Sequence, residues 1–204
     1  MRSTGAGLLF LSLAFLPLAT RQDDPERARN EGLVFTLYAR DGLQSSFDFR
    51  RGRAGGHVVD GEIRLDDAQV VFDAFAPDQL SVGFLRDERV ELLDLGELDV
   101  PPQARASDRA EKFALSVFHT LFLDGERLAY VGPGGDAHPL DGTSRLFATP
   151  PEGLRHVQPV VGHVYVIRAL RRTVGSADDV FKFLVLDHVP QQSLTMRWVP
   201  VPRR

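Results

Sequence analysis

The sequence predicts an all-β protein, an antiparallel β-sandwich built from hairpins, and three observations support this fold class. Short apolar stretches of strand length alternate with turn residues from Glu31 onwards. Asp-Gly pairs, which suit the positive φ angles of tight hairpin turns, begin at Asp41, Asp60, Asp124 and Asp141. Three strand patterns follow one another near the C-terminus, and β–α alternation is missing from the sequence, as expected of a sandwich.

Residues 1–21 have the pattern of a secretory signal peptide. The positive charge of Arg2 precedes an apolar run over residues 5–19. Arg21 follows before the run reaches the roughly 20 apolar residues that a membrane-spanning helix needs. We therefore expect cleavage near the end of this run, no membrane span after cleavage, and a secreted, periplasmic or cell-envelope location. An uncleaved anchor is the alternative, because Pro17 is a poor residue two places before the cut.

The rest of the chain is predicted to form one domain. Residues 22–30 are a charged spacer without an apolar period, and residues 31–204 form the β-sandwich. Two adjacent prolines make a subdivision at 101–103, into two small β-modules, the alternative. The polar stretch 103–112 predicts at most one short helix, with Asp108 as its N-cap.

Two of the Asp-Gly pairs predict specific hairpins. The first would join a strand over residues 33–40 to a strand over residues 43–50. The third would close a hairpin over residues 116–131, with Asp124 and Gly125 as its loop residues. That loop would pair Leu123 with Glu126, Leu121 with Leu128 and His119 with Tyr130.

The C-terminal part of the chain predicts a three-stranded meander. Its strand patterns cover residues 163–170, 180–187 and 193–200. In the last of these, apolar residues alternate with polar ones, which is typical of a strand with one buried face. The two preceding strands are apolar on both faces except for Arg168 and Lys182, so we expect them at the centre of a sheet.

Charge and composition exclude several classes of function. Loss of Arg2 and Arg21 with the signal leaves 22 of the 24 cationic residues against 28 acidic ones, a net charge of −6. This balance argues against a nucleic-acid partner or an anionic membrane surface. Cysteine is missing from the sequence, which excludes disulfides, thiol catalysis and cysteine-ligated zinc. A hydrophobic content of 43% predicts a packed core.

Motifs for catalysis or cofactor binding are also missing from the sequence. It contains no G-x-S-x-G nucleophile elbow, no phosphate-binding glycine loop and no pair of histidines at a metal-binding spacing. We therefore predict no cofactor, no tightly bound metal and no catalytic residues. The sequence favours a binding protein over an enzyme.

A glycine-rich loop supplies the candidate ligand-binding residues. Its carboxylate and imidazole could converge on a ligand, two further histidines bracket the start of the meander, and a nearby tyrosine could present an apolar ring with a polar tip. The candidates are Tyr130, Asp136, His138, His156 and His163. The alternative interpretation is a wide turn with solvated side chains, together with histidines that are buried and neutral.

The functional hypothesis is an exported, non-enzymatic β-sandwich protein that binds another envelope or extracellular component, either a protein or a small ligand. A small-ligand or carbohydrate-binding module and a metal-assisted hydrolase using His and Asp are the alternatives. An exposed sheet edge favours the first, a lined groove the second, and converged His and Asp side chains the third.

Overall fold

The computed structural model describes residues 32–86, 88–96, 118–132, 134–148, 153–171 and 178–204. These residues form antiparallel strands in several sheets, with one 3-10 turn, Thr143–Leu146, and three helical residues at 118–120. The predicted all-β, antiparallel fold class is confirmed. The predicted signal peptide, spacer, helix and subdivision at 101–103 lie outside the described residues. Within the described ranges, no helix has the length and apolar character needed to cross a membrane.

Short strands, most of them three to eight residues long, account for the regular structure of the described ranges. They are β1 Leu33–Tyr38, β2 Ser46–Asp48, β3 Arg53–Ala54, β4 His57–Val59, β5 Glu62–Arg64, β6 Val70–Phe72, β7 Leu80–Val82, β8 Glu88–Asp94, β9 Leu121–Asp124, β10 Arg127–Val131, β11 Ala137–Pro139, β12 Arg155–Val157, β13 Val164–Arg171, β14 Asp179–Val189 and β15 Ser193–Pro200.

Sheet A, with the strand order β1-β15-β14-β13-β8, is the central layer. It contains the predicted meander, in which β13 pairs with β14 and β14 with β15. In β15 every second residue is buried, as the alternation predicted. Strands β13 and β14 lie inside the sheet, as predicted, and their side chains are buried on both of its faces.

Sheet B, with the order β12-β7-β6-β2-β3, covers one face of sheet A. An aromatic cluster fills the space between the two sheets. The rings of Phe47 and Phe49 meet the Trp198 ring edge-on, with centroids 5.5 and 5.7 Å apart. Tyr165 stacks on Phe183 at 5.0 Å. This interface is the larger of the two apolar clusters and gives the molecule its sandwich character.

Sheet C, with the order β11-β10-β9, covers part of the other face of sheet A. Leu121, Leu123 and Leu128 of sheet C pack against Val166 and Leu184 of sheet A in a second apolar cluster. Sheet A is therefore covered on both sides, and this third layer was not predicted from the sequence.

The hairpin predicted at Asp41-Gly42 is wrong. The chain does turn there, because the Asp41 carboxylate accepts the backbone N–H groups of Leu43 and Gln44. However, β1 pairs with β15 and not with β2, so the turn carries the chain from sheet A into sheet B. Local turn chemistry predicted the reversal and could not predict which strand would be the partner.

The hairpin predicted at Asp124-Gly125 forms with a different register. Asp124 pairs with Arg127, so Gly125 and Glu126 are the loop residues. Gly125 takes φ +60° at the first loop position, as a type II′ turn requires. Residues 118–120 are helical, so His119 does not enter the strand that was predicted for it.

Candidate functional site

Three of the five predicted site residues lie together on sheet C. Tyr130 of β10 and His138 of β11 are cross-strand neighbours, with ring centroids 5.4 Å apart. The Gly132 N–H donates to the Asp136 carbonyl at 2.9 Å, which closes the loop between the two strands. A Cβ atom on Gly132 would lie 2.7 Å from His138 Nε2, so glycine leaves room for the imidazole. Asp136 and His138 are exposed. The rings of Tyr130 and His138 together offer a small surface for stacking.

The other two predicted residues lie on other sheets. His156 of β12 sits opposite Ser81 of β7 in sheet B, with Oγ and Nδ1 2.8 Å apart. His163, just before β13 of sheet A, has its Nδ1 2.9 Å from Asp94 Oδ2. The predicted residues thus form three separate groups. Within the described part of the chain, no cluster of three His, Cys, Asp or Glu side chains is arranged to hold a metal ion.

The Ser81–His156 pair combines a hydroxyl with an imidazole, as nucleophilic enzymes do. Ser81 is completely buried, so a substrate cannot reach its oxygen. Among the described residues, no carboxylate contacts His156 to orient its ring. The pair therefore satisfies a buried hydroxyl and links an edge strand to its neighbour.

A histidine–aspartate pair joins the β6–β7 loop to the last residues of β14. His188 Nε2 lies 2.7 Å from Asp78 Oδ1, and the Gln191 N–H donates to the same oxygen at 3.0 Å. Burial alone would raise the pKa of Asp78, but these hydrogen bonds outweigh it and lower the pKa below its ordinary value. The arrangement ties the β6–β7 loop to the β14–β15 turn.

A buried ion-pair group around Arg50 connects the β2–β3 turn to sheet A. Arg50 donates to Glu88 of β8 and to Asp179 of β14, which ties the β2–β3 turn to sheet A. Burial would lower the pKa of Arg50, but the two carboxylates outweigh that effect and raise it. Each charge has an opposite partner, so this group has a structural explanation without a substrate.

One surface that sequence analysis missed is the β4–β5 hairpin. All six of its strand residues are exposed, and its Asp60-Gly61 loop has positive φ angles at both positions. Val58 and Ile63 are directly opposite each other across the hairpin. The sequence signal was present, because a valine and an isoleucine flank the turn symmetrically. Exposure itself was not predictable, since strands this short show no clear period.

Comparison with known proteins does not assign a role to any of these surfaces. No protein-family model, curated protein or solved structure matches this chain.

Proposed function

We propose that this chain is an exported, non-enzymatic β-protein that binds another component of the cell envelope or the extracellular space through its β4–β5 hairpin. The observation that carries the proposal is the exposed apolar pair of Val58 and Ile63, two residues that are 58% and 53% accessible. The apolar run over residues 5–19 supports export.

The apolar surface extends beyond the hairpin itself. Ile63 packs over Gly42, where a side chain would collide with it. The neighbouring Leu43 is 39% exposed. Contiguous apolar side chains on a surface are unfavourable in water and commonly mark a contact for a partner. Leu43, Val58 and Ile63 form the centre of the proposed contact surface.

The polar strand residues of the hairpin lie on its other face. His57 pairs with Arg64 and Val59 with Glu62, and because side chains alternate between faces along a strand, these residues point away from the face of Val58 and Ile63. The proposed contact face of the hairpin is therefore apolar. The partner that fits best is a protein with an apolar patch of its own.

The hairpin is held in place before any partner arrives. The Gly56 backbone lies against the backbone of Gly42 and Leu43, so closely that a Cβ atom on Gly56 would collide with both. A surface that is already ordered loses less conformational entropy on binding. This arrangement favours recognition by a fixed shape.

Site-specific photo-crosslinking in the native host tests the proposal. A photoreactive amino acid at Val58 should give one crosslinked product of defined mass outside the cytoplasm. The same product should disappear when Ile63→Asp is added, because a carboxylate at the centre of the contact must be desolvated.

Val161 provides the matched control, since it is a valine of similar exposure that lies in a turn outside the hairpin. The photoreactive group at position 161 should give no such product. Equal crosslinking at both positions, or a product that survives Ile63→Asp, would contradict the proposed contact. Retention of the precursor in the cytoplasm would contradict export.

A further inference from the structure

The outer edge of sheet C, at β9, is occupied by a short segment of the same chain. Strand β9 is the last strand of this sheet and pairs with β10 on one side. On its other side, the Leu123 N–H donates to the Pro202 carbonyl at 2.8 Å, and the Arg204 N–H donates to the Leu123 carbonyl at 2.9 Å. Residues 202–204 therefore lie against β9 in the manner of a short parallel strand.

The side chains of this segment make contacts that most strands would not make. Phe122 lies between two leucines that face sheet A, so its ring is on the outer face of sheet C. The Arg204 guanidinium carbon lies 4.4 Å from the centre of that ring, within the range of a cation–π interaction. Arg203 donates to the Asp178 carbonyl at 2.9 Å. This edge therefore binds two cationic side chains as well as a backbone.

The segment is fixed at its start and exposed beyond it. Val201 is buried, and its N–H donates to the Val180 carbonyl of β14 at 2.9 Å. Residues 202–204 are exposed. Exposed segments with few buried apolar contacts open at the lowest free energy. Opening of this segment uncovers the Phe122 ring and leaves the N–H and C=O groups of Leu123 ready to pair with another backbone.

We propose that this edge of β9 is an acceptor site for an extended, arginine-bearing segment of a partner protein, and that residues 202–204 close the site as an internal competitor. The chemistry of the partner segment follows from the segment that fills the site, a proline followed by two arginines. Proline restricts the backbone before binding, and its missing N–H is not needed, because Pro202 makes its contact through the carbonyl. The chain has 28 acidic and 24 basic residues, a net charge that favours the approach of a basic partner.

The internal segment lowers the affinity that a partner shows for the site. A partner binds only those molecules in which residues 202–204 have left β9, so weakening of this segment should strengthen partner binding. Arg203→Ala combined with Arg204→Ala removes both side-chain contacts of the competitor. The double substitution leaves β9 and Phe122, which form the acceptor site, unchanged.

Titration with a synthetic peptide tests the proposal. The probe is the hexapeptide VPVPRR, which repeats residues 199–204, and the readout is the NMR signal of the Leu123 amide. The Kd of this peptide should be about 10-fold lower for the double variant than for the wild-type protein, because the competitor has lost its cation–π contact and a hydrogen bond. The peptide VPVPAA should bind the double variant about 10-fold more weakly than VPVPRR does.

A substitution at Phe122 locates the peptide on the outer face of sheet C. It is made in the double variant, whose own segment no longer carries a cation to the ring. Phe122→Leu keeps an apolar side chain and removes the aromatic ring, so the affinity for VPVPRR should fall about 5-fold to 10-fold. Phe75→Leu is the matched control, since Phe75 is an exposed phenylalanine outside sheet C, and it should leave the affinity unchanged.

Two results would overturn the proposal. One is a Leu123 signal that does not move in the double variant at millimolar concentrations of VPVPRR. The other is equal affinity for VPVPRR and VPVPAA, which would mean that the arginines are not recognised. Neither result affects the crosslinking experiment at Val58, because the β4–β5 hairpin and β9 belong to different sheets.

Discussion

Two buried cations lie on the face of sheet A that sheet C covers, and only one of them has a carboxylate partner among the described residues. Arg168 donates to Asp178 and to backbone carbonyls, including that of Leu146 at 2.9 Å. Lys182 donates to the Leu121 carbonyl at 3.1 Å, and its Nζ lies 5.4 Å from the centre of the Phe118 ring. Burial lowers the pKa of Lys182 from 10.5 to about 8.

Replacing Lys182 with methionine should stabilise the protein. The burial of the ammonium group corresponds to about 3 kcal/mol, because each pKa unit is equivalent to 1.36 kcal/mol. Loss of the bond to Leu121 offsets about 1–2 kcal/mol of this. Urea denaturation at neutral pH should therefore show a free energy of unfolding higher by about 1–2 kcal/mol for Lys182→Met.

The pH dependence provides an independent check. The folded chain releases the Lys182 proton near pH 8, whereas the unfolded chain keeps it up to 10.5, so wild-type stability should rise with pH across this interval. The methionine variant should lack this rise. Arg168→Met is the matched control and should lower stability by about 3 kcal/mol, because it leaves Asp178 without its partner. A destabilised Lys182→Met would contradict the interpretation.

Substitution of Asp78 should have the opposite effect on the free energy of unfolding to substitution of Lys182. Its pKa is lowered in the folded state, so its contribution is present above the ordinary value of 3.8 and is lost as the pH falls through the folded pKa. Asp78→Asn should reduce stability by about 1–2 kcal/mol at neutral pH. Denaturation curves of variant and wild type should converge in strong acid.

An exposed pair controls for this effect. His57 and Asp66 are 4.0 Å apart, and both side chains are well exposed. Asp66→Asn should change the free energy of unfolding by less than about 0.5 kcal/mol, as exposed pairs usually do. A persistent difference between Asp78→Asn and wild type in strong acid would show that the contribution is not ionic.

The β9–β10 turn depends on the backbone conformation of Gly125. This residue takes φ +60°, and nothing lies within 4 Å of the position that its Cβ would occupy. A substitution is therefore strained by its backbone angle and not by a collision. Gly125→Val should lower the free energy of unfolding by about 1 kcal/mol or more, measured as a reduced Tm.

Gly134 is the control for that turn. Its φ is not positive, and the position of a Cβ there is nearly free. Gly134→Ala should leave Tm almost unchanged. Equal effects of the two substitutions would mean that the turn does not require a positive φ.

The same hairpin shows how far the sequence predicted the elements. The observed pairing places Leu123 opposite Leu128, whereas the prediction placed Leu121 there. This two-residue difference preserves the face of every side chain, so both leucines are buried as the alternation implied. The pattern of apolar residues determines the face, but the exact register depends on which two residues form the loop.

Contacts between distant strands limited the prediction of the candidate site. His138 and Tyr130 are neighbours because β11 pairs with β10, whereas the predicted partner of Tyr130 was His119. His156 and His163 are close in sequence, yet β12 joins sheet B and β13 joins sheet A. The choice of sheet depends on packing between layers, which no local pattern records.

The two apolar clusters, one on each face of sheet A, explain which predictions about the layers succeeded and which failed. Strands that are apolar on both faces correctly indicated the centre of sheet A. The layer that covers the second face was missed, because sheet C consists of short strands whose outer residues are polar or exposed. Strands that are apolar on both faces need a covering layer on each side, but their sequences do not identify the strands that form the second layer.

The pairing of β1 with β15 also sets the order in which the molecule can be completed. Thr36 and Thr195, which share a hydrogen bond across these strands, are 159 residues apart in the sequence. Closing a loop of this length costs conformational entropy before any contact is gained, and such pairings slow folding. A chain released with its N-terminus first therefore keeps its first strand without this partner until its last strand emerges. Completion of sheet A therefore has to wait until residues 193–200 have been synthesised.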